Sequence, residues 1–262
     1  MPKKCTNESF VFVSSKHHLV EQVAYQWEHG AILPEVLFHI SDEKCNNPEA
    51  FNVYPAFKVV LRQYACGDQY QQFYDNTLMS SHVFVVPLGY GTDMLKKEKS
   101  SIFASSESKR IKQIPRYFSW SFVGNIKSNR PELLEAFESI EPNFQGTASK
   151  DEMRDLYGNS TFVLSGRGWV NLDCFRHYEA TIMGAIPVVV GKPSEVEATF
   201  GYFGENPPWL FAETVNDSVV AVKSLLRDRK EIRRKQLAIL EWWQRQLARI
   251  EEILSPYMYR PI

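Results

Sequence analysis

Arg176 and Glu179 lie three positions apart in the segment Phe175-Arg176-His177-Tyr178-Glu179, shortly after the glycine-rich Ser165-Gly166-Arg167-Gly168. On a helix that spacing puts a cation and a carboxylate on one face. Such a cation suits a phosphate, and the carboxylate can accept hydrogen bonds from two hydroxyls of a ribose or sugar. Lys127 and Arg130 form a second group, in a loop that runs from Gly124 to a helix whose Pro131 suits the first helical position. Free N–H groups and the dipole at that N-terminus favour an anion, and a diphosphate would fit. A third group, Ser41-Asp42-Glu43, follows an apolar run. Asp42 there is either a cap for the next helical turn or a catalytic carboxylate.

The elements that must position these groups can be read from the periodicity. Residues 161 to 190 read as strand, glycine-rich loop, helix opening near Asp173, a stop at Gly184, and a second strand from Ile186 to Val190. That is the crossover unit of a doubly wound parallel sheet, in which ligands lie beyond the carboxyl ends of the strands. The loop bearing Ser165, Gly166 and Arg167 therefore points at a ligand, and a nucleotide is the natural guest. Upstream, apolar runs at Phe10 to Val13, Val36 to Ile40, Phe57 to Leu61 and His82 to Val86 each end in polar or glycine residues. They predict a small parallel sheet with a functional rim, on which Arg62, Tyr64, Gly89 and Tyr90 are expected as acceptor-side or cleft residues.

Residues 91 to 115 have little periodicity and predict a linker or mobile loop. A second half opens with a strand at Tyr117 to Val123, and apolar residues from Leu225 to Leu254 step by threes, fours and sevens through a long terminal helix or a broken pair. Trp242 and Trp243 in that stretch read as packing residues. The expected domains are 1–115, 116–225 and a helical segment at 226–262, in an α/β fold.

Thirty basic and thirty-one acidic residues leave a net charge of -1, so neither nucleic-acid binding nor membrane-surface attachment is supported. With 44% apolar residues the chain can bury a substantial core. Cys5, Cys45, Cys66 and Cys174 are widely spaced, which suggests reduced thiols rather than a zinc site or disulfide framework. No stretch approaches the ~20 apolar residues of a membrane span, and no apolar signal core follows Met-Pro-Lys-Lys. A soluble cytoplasmic protein is expected. No Asp-x-Asp occurs, so arginine, lysine and a helix N-terminus, rather than a metal, would stabilise a departing diphosphate. No metal or other cofactor is expected.

Residues 175 to 188 resemble the R-x-x-E-A-(x)3-G-x-I-P-V signature of exostosin-like glycosyltransferases, family 47. Ser41-Asp42-Glu43, Leu61-Arg62-Gln63-Tyr64, Pro87-Leu88-Gly89-Tyr90 and Ser119-Trp120-Ser121-Phe122-Val123-Gly124 followed by Arg130 resemble, in order, landmarks of its ribitol-xylosyltransferase-like subgroup. The resemblance implies a GT-B fold, with two Rossmann-like domains facing a central cleft and the C-terminal helix closing back on the body. It also implies an inverting, metal-free transfer from a nucleotide-sugar donor held by the C-terminal half, with Arg176 and Glu179 as donor contacts and Arg130 as a phosphate partner. UDP-xylose is the donor it points to, and a glycan is the acceptor. The chain departs from animal members in its lack of a membrane anchor and its short N-terminal half. Short soluble relatives are similar to proteins of large algal DNA viruses, where the transfer would decorate capsid glycans, on fucose.

Inversion requires a carboxylate to take the acceptor's proton as its oxygen attacks opposite the leaving group. Asp42 is preferred, then Glu43, with Asp68 and Asp93 in loops and His17, His18 and His39 read as structural. Two rival readings remain. Gly166-Arg167-Gly168 suggests a dinucleotide-dependent oxidoreductase, but Asn171 stands where the third glycine belongs and no acidic ribose-binding residue follows at the expected distance. The other rival is a nucleotide-sugar-binding or scaffolding protein without turnover.

Overall fold

The computed structural model describes residues 10–14, 19–30, 32–44, 53–64, 82–91, 94, 116–126, 129–168 and 171–258. They form two parallel sheets. The first holds β1 (Phe10–Ser14), β2 (Val36–Ile40), β3 (Val59–Gln63) and β4 (Val83–Val86) in that order, with α1 (Leu19–Glu28) after β1. In the register Phe38 lies beside Leu61, and Leu61 beside Phe84. The second sheet has the order β6-β5-β7-β8-β9, from β5 (Phe118–Val123), β6 (Asn143–Gly146), β7 (Ser160–Leu164), β8 (Ile186–Val190) and β9 (Leu210–Ala212). Its helices are α2 (Arg130–Phe137), α3 (Lys150–Gly158), α4 (Phe175–Ile182), α5 (Pro193–Phe200), α6 (Val215–Leu225) and α7 (Arg229–Met258).

The chain divides into two compact units, Met1–Pro87 with Ala248–Ile262, and Leu88–Leu247. In the first, Val36, Val59 and Leu61 form a buried cluster with Leu254, against which Ile250, Ile253 and Tyr257 also pack. The apolar stripe late in α7 therefore covers one face of the first sheet. In the second unit β7 is buried along its whole length, as expected of a central parallel strand covered on both faces. Trp242 is fully buried against Trp209, and Trp243 packs on Tyr178 and Tyr90.

Local chemistry explains the element boundaries. Pro55 lies in a short 3-10 turn at Tyr54–Ala56, so β3 starts at Val59 rather than at Phe57. Ser149 and Glu152 cap α3 reciprocally, and Thr214 and Asp217 do the same for α6. The Asp228 carboxylate accepts from the amides of Lys230 and Glu231, which separates α6 from α7. Buried Arg116 donates to the carbonyls of Tyr157, Ser160 and Met183, placing a cation at the C-terminal ends of α3 and α4, where the dipole favours it. Burial lowers its pKa to about 10. No helix among the described residues is long and apolar enough to cross a membrane.

Leu254→Ala is expected to cost about 2–4 kcal/mol of stability, because the cavity opens directly against β2 and β3. Urea denaturation followed by tryptophan fluorescence and circular dichroism measures the loss.

Candidate functional site

In the second sheet the strand order reverses between β5 and β7: the chain leaves β5 for β6 on one side, then returns to add β7 on the other. At such a switch point the loops after the two strands diverge and leave a crevice beyond their carboxyl ends, where doubly wound proteins place ligands. Those two loops are Gly124–Ile126 and Ser165–Gly168. The first sheet shows no reversal among its described strands.

Two arginines meet at this point. Arg176, near the start of α4, donates from Nε to the Val123 carbonyl at 3.0 Å, and its guanidinium carbon lies 4.7 Å from the centre of the Phe122 ring. Arg130, first residue of α2, spans both loops: Nη1 donates to the Asn125 carbonyl at 2.7 Å and Nη2 to the Arg167 carbonyl at 2.9 Å. Its guanidinium carbon is 6.0 Å from the same ring. Both glycines beside them are required. A Cβ at Gly124, whose φ is +138°, would lie 2.6 Å from Arg176 Nη2, and one at Gly166 would lie 2.6 Å from Arg130 Cγ. Arg176 has no carboxylate partner among the described residues, so its positive charge is held by a carbonyl, an aromatic face and the Cys174 sulfur.

Arg167 is placed differently. Its amide donates to Asn129 Oδ1, while its guanidinium is paired with Glu195 of α5. Ser165 is buried, with Oγ 3.3 Å from Cys174 Sγ. Cys174 is the N-cap of α4, so the helix starts at Phe175 rather than near Asp173. The Asp173 carboxylate instead accepts from the hydroxyls of Tyr178 and Tyr202 at 3.0 and 2.8 Å, which pins the loop before α4. Burial pushes the Cys174 thiol up, but His177, Arg176 and the Ser165 hydroxyl outweigh it and bring the pKa down to about 6. The partner shift raises His177 to about 9: burial opposes it, and Cys174 with Asp173 overcomes the opposition.

Glu179 faces another part of the site. Its Oε1 accepts from Lys150 Nζ at 3.1 Å and from the Gly91 amide at 3.4 Å. Gly89, with φ +80°, and Tyr90, edge-on to Trp243, lead into Gly91. Fully buried Tyr157 lies in the field of Arg176, Glu179 and Cys174, and burial raises its pKa, so its hydroxyl stays neutral.

The first unit gathers Asp42, Glu43, Arg62 and Tyr64. Arg62 and Asp42 are fully buried and paired at 3.2 Å. The same guanidinium donates to the Tyr64 carbonyl and the Tyr54 hydroxyl, and Tyr54 also bonds His39 Nδ1 at 2.6 Å. Burial, with Arg62 nearby, lowers the His39 pKa to about 3, so this histidine is neutral. Ser41 and Tyr64, at the ends of β2 and β3, have φ of 66° and 65°, a left-handed conformation uncommon outside glycine. Glu43 is only partly buried.

Lys127, Asp68, Asp93, His17 and His18 lie outside the described residues. Lys150, Gly91, Cys174 and Phe122 join the site without having been expected there. Lys150 follows the Ser149-x-x-Glu152 cap, a signal for a helix start that is silent about what the lysine meets. Among the described residues no group of three His, Cys, Asp or Glu side chains is placed to hold a metal ion.

No protein-family model matches the chain, and no curated protein matches it. Solved structures do. Anabaena Alr3699/HepE in complex with UDP and glucose is 12% identical, covers 95% of this chain and 78% of its own, and has a TM-score of 0.55. The same protein in complex with UDP is also 12% identical, covers 94% and 78%, and has a TM-score of 0.54. An alpha-glucosyltransferase in complex with UDP and a 13-mer DNA containing a HMU base is 12% identical over 90% of this chain and 84% of its own, with a TM-score of 0.46. At this identity the likeness shows the fold, which is α/β of the GT-B-like type with Rossmann-like parallel sheets.

Proposed function

We propose that this protein is an inverting glycosyltransferase that takes its sugar from a nucleoside-diphosphate donor bound by the second unit. The observation that carries the reading is the Arg176 guanidinium, fixed at the switch point with no acidic partner among the described residues. A departing diphosphate gains negative charge as its bond to the sugar breaks, and a cation already oriented stabilises that charge without reorganising. Arg130, the amides at the start of α2 and Lys127 would share the diphosphate, with Ser165, Gly166 and Arg167 shaping its loop. Glu179 would take hydroxyls of the donor. The UDP held by Alr3699/HepE supports a uridine nucleotide. The resemblance of residues 175 to 188 to family 47 favours a metal-independent transfer, its ribitol-xylosyltransferase-like subgroup landmarks favour xylose, and the likeness to short viral proteins favours a glycan acceptor such as fucose of a viral capsid glycan.

The base is assigned to a carboxylate on the rim of the first sheet. Asp42 is buried against Arg62, which suits it to hold the rim in shape. Glu43, one residue on and partly exposed, is then the better proton acceptor. We take Gly89 and Tyr90, expected as acceptor-side or cleft residues, for the donor side instead, a reading that the contact of Gly91 with Glu179 supports. The burial of Asp42 also favours a second reading, in which the protein binds a nucleotide-sugar without turning it over.

Calorimetry with UDP, paired with a hydrolysis assay on a panel of UDP-sugars, decides between these readings. Arg176→Ala should weaken UDP binding by about 100-fold, the scale of a charge-assisted contact to phosphate. Absence of UDP binding by the native chain would refute both readings, and binding without any turnover would leave the second.

Glu43→Gln should reduce turnover at least 100-fold with stability unchanged within about 0.5 kcal/mol. Asp42→Asn should instead cost about 3–5 kcal/mol of stability, because it removes the buried carboxylate paired with Arg62. Full turnover in the Glu43 variant passes the role to Asp68 or Asp93, whose Asn variants are assayed alongside.

The reaction of Cys174 with iodoacetamide should follow a midpoint near pH 6, since only the thiolate is nucleophilic and its pKa is depressed. Saturating UDP should slow it. Mass spectrometry of the modified peptide reports both.

A further inference from the structure

Glu179 is about 95% buried, yet its two carboxylate oxygens are treated differently. Oε1 receives Lys150 Nζ and the Gly91 amide. Oε2 has no partner among the described residues and is not sealed from solvent. The Lys150 side chain is 48% exposed, and Glu179 is the only described group it pairs with. An ammonium has three donors, so two are left for a ligand. One acceptor oxygen and one cationic donor therefore stand side by side, joined by the ion pair between them.

We infer that Lys150 and Glu179 together form a clamp for the vicinal diol of the donor's ribose, with Lys150 supplying the donor half that meets one of the two hydroxyls. The inference rests on the nucleoside-diphosphate reading above. A diol presents two hydroxyls, each able to donate and to accept. One donates to Glu179 Oε2, and its neighbour accepts from Lys150 Nζ while the ammonium stays on Oε1. Oε1 already holds Lys150 and the Gly91 amide, so Oε2 is the oxygen left for the diol, and the second hydroxyl is met by the ammonium while the protein partners of Oε1 are kept. A sugar lacking both hydroxyls leaves the carboxylate and the ammonium in a buried site with nothing to replace their water.

Gly91 completes the arrangement. A Cβ there would lie 2.9 Å from Lys150 Nζ and 3.3 Å from Glu179 Oε1, so a larger residue would press on the ammonium. The segment after Tyr90 thus borders the lysine's position.

The test is calorimetric titration of the full chain with UDP and with 2′,3′-dideoxy-UDP. The native protein is expected to prefer UDP by at least about 30-fold, and Lys150→Met to lose about 10-fold on UDP while changing less than about 2-fold on the dideoxy nucleotide. Lys150→Arg, which keeps the charge and donors, is expected to retain most of the preference. Lys150 is half exposed at the start of α3, so folding is not at risk, and a thermal melt verifies it. Equal losses on both nucleotides would show that Lys150 serves only the diphosphate and would overturn the clamp, as would no loss on either. A native chain that binds both nucleotides equally overturns the clamp alone, whereas one that binds neither removes the donor reading on which it rests.

Discussion

One guanidinium organises the site. Arg176 reaches from the start of α4 to the end of β5, where the Val123 carbonyl takes one donor and the Phe122 ring supports the plane. A carbonyl and a ring face hold a cation in place without cancelling its charge, which an acidic partner would do. That difference sets the electrostatic character of the crevice. The neighbouring cation, Arg130, donates to two carbonyls. Arg167 is paired with Glu195, and its backbone carbonyl accepts from Arg130.

Holding such charges in place requires a stiff surround. Asp173 with Tyr178 and Tyr202 fixes the entry to α4, while Arg116 fastens the last turns of α3 and α4 through three carbonyls. His177 packs flat on Trp209, which joins Phe200 and Trp242 in an aromatic core beneath the helix. Because these groups are buried and hydrogen-bonded, α4 has little freedom to move Arg176 or Glu179. Cys174 sits at the same N-terminus, and its low pKa is a further measure of how positive that place is. The polarity that holds a thiolate also suits a diphosphate.

The first unit uses a buried ion pair for a different purpose. Arg62 binds Asp42, Tyr54 and the Tyr64 carbonyl together, tying the ends of β2 and β3 where two residues adopt left-handed backbone. A buried pair of this kind contributes little net stability but makes any other arrangement costly, so it serves to specify one shape. The rim that carries Glu43 is thereby held in one conformation.

Much of this was written in local pattern. The strand at Val36 to Ile40, the crossover from β7 to β8, the helix with Arg176 and Glu179, and the packing role of Trp242 and Trp243 all follow from periodicity and glycine placement, which depend on neighbours only a few residues away. The role of Asp42 did not, because its partner lies twenty positions on and is delivered by the parallel register that sets His39 beside Arg62. Lys150 and Gly91 were equally silent. They meet Glu179 from 29 and 88 residues away, through helix packing and chain path that no short spacing encodes. Sequence alone determined which residue types could hold an anion and a diol. Only the tertiary structure decided that Arg167 meets a carboxylate while Arg176 meets a carbonyl and a ring face, because that depends on distances fixed when the sheet and its helices pack.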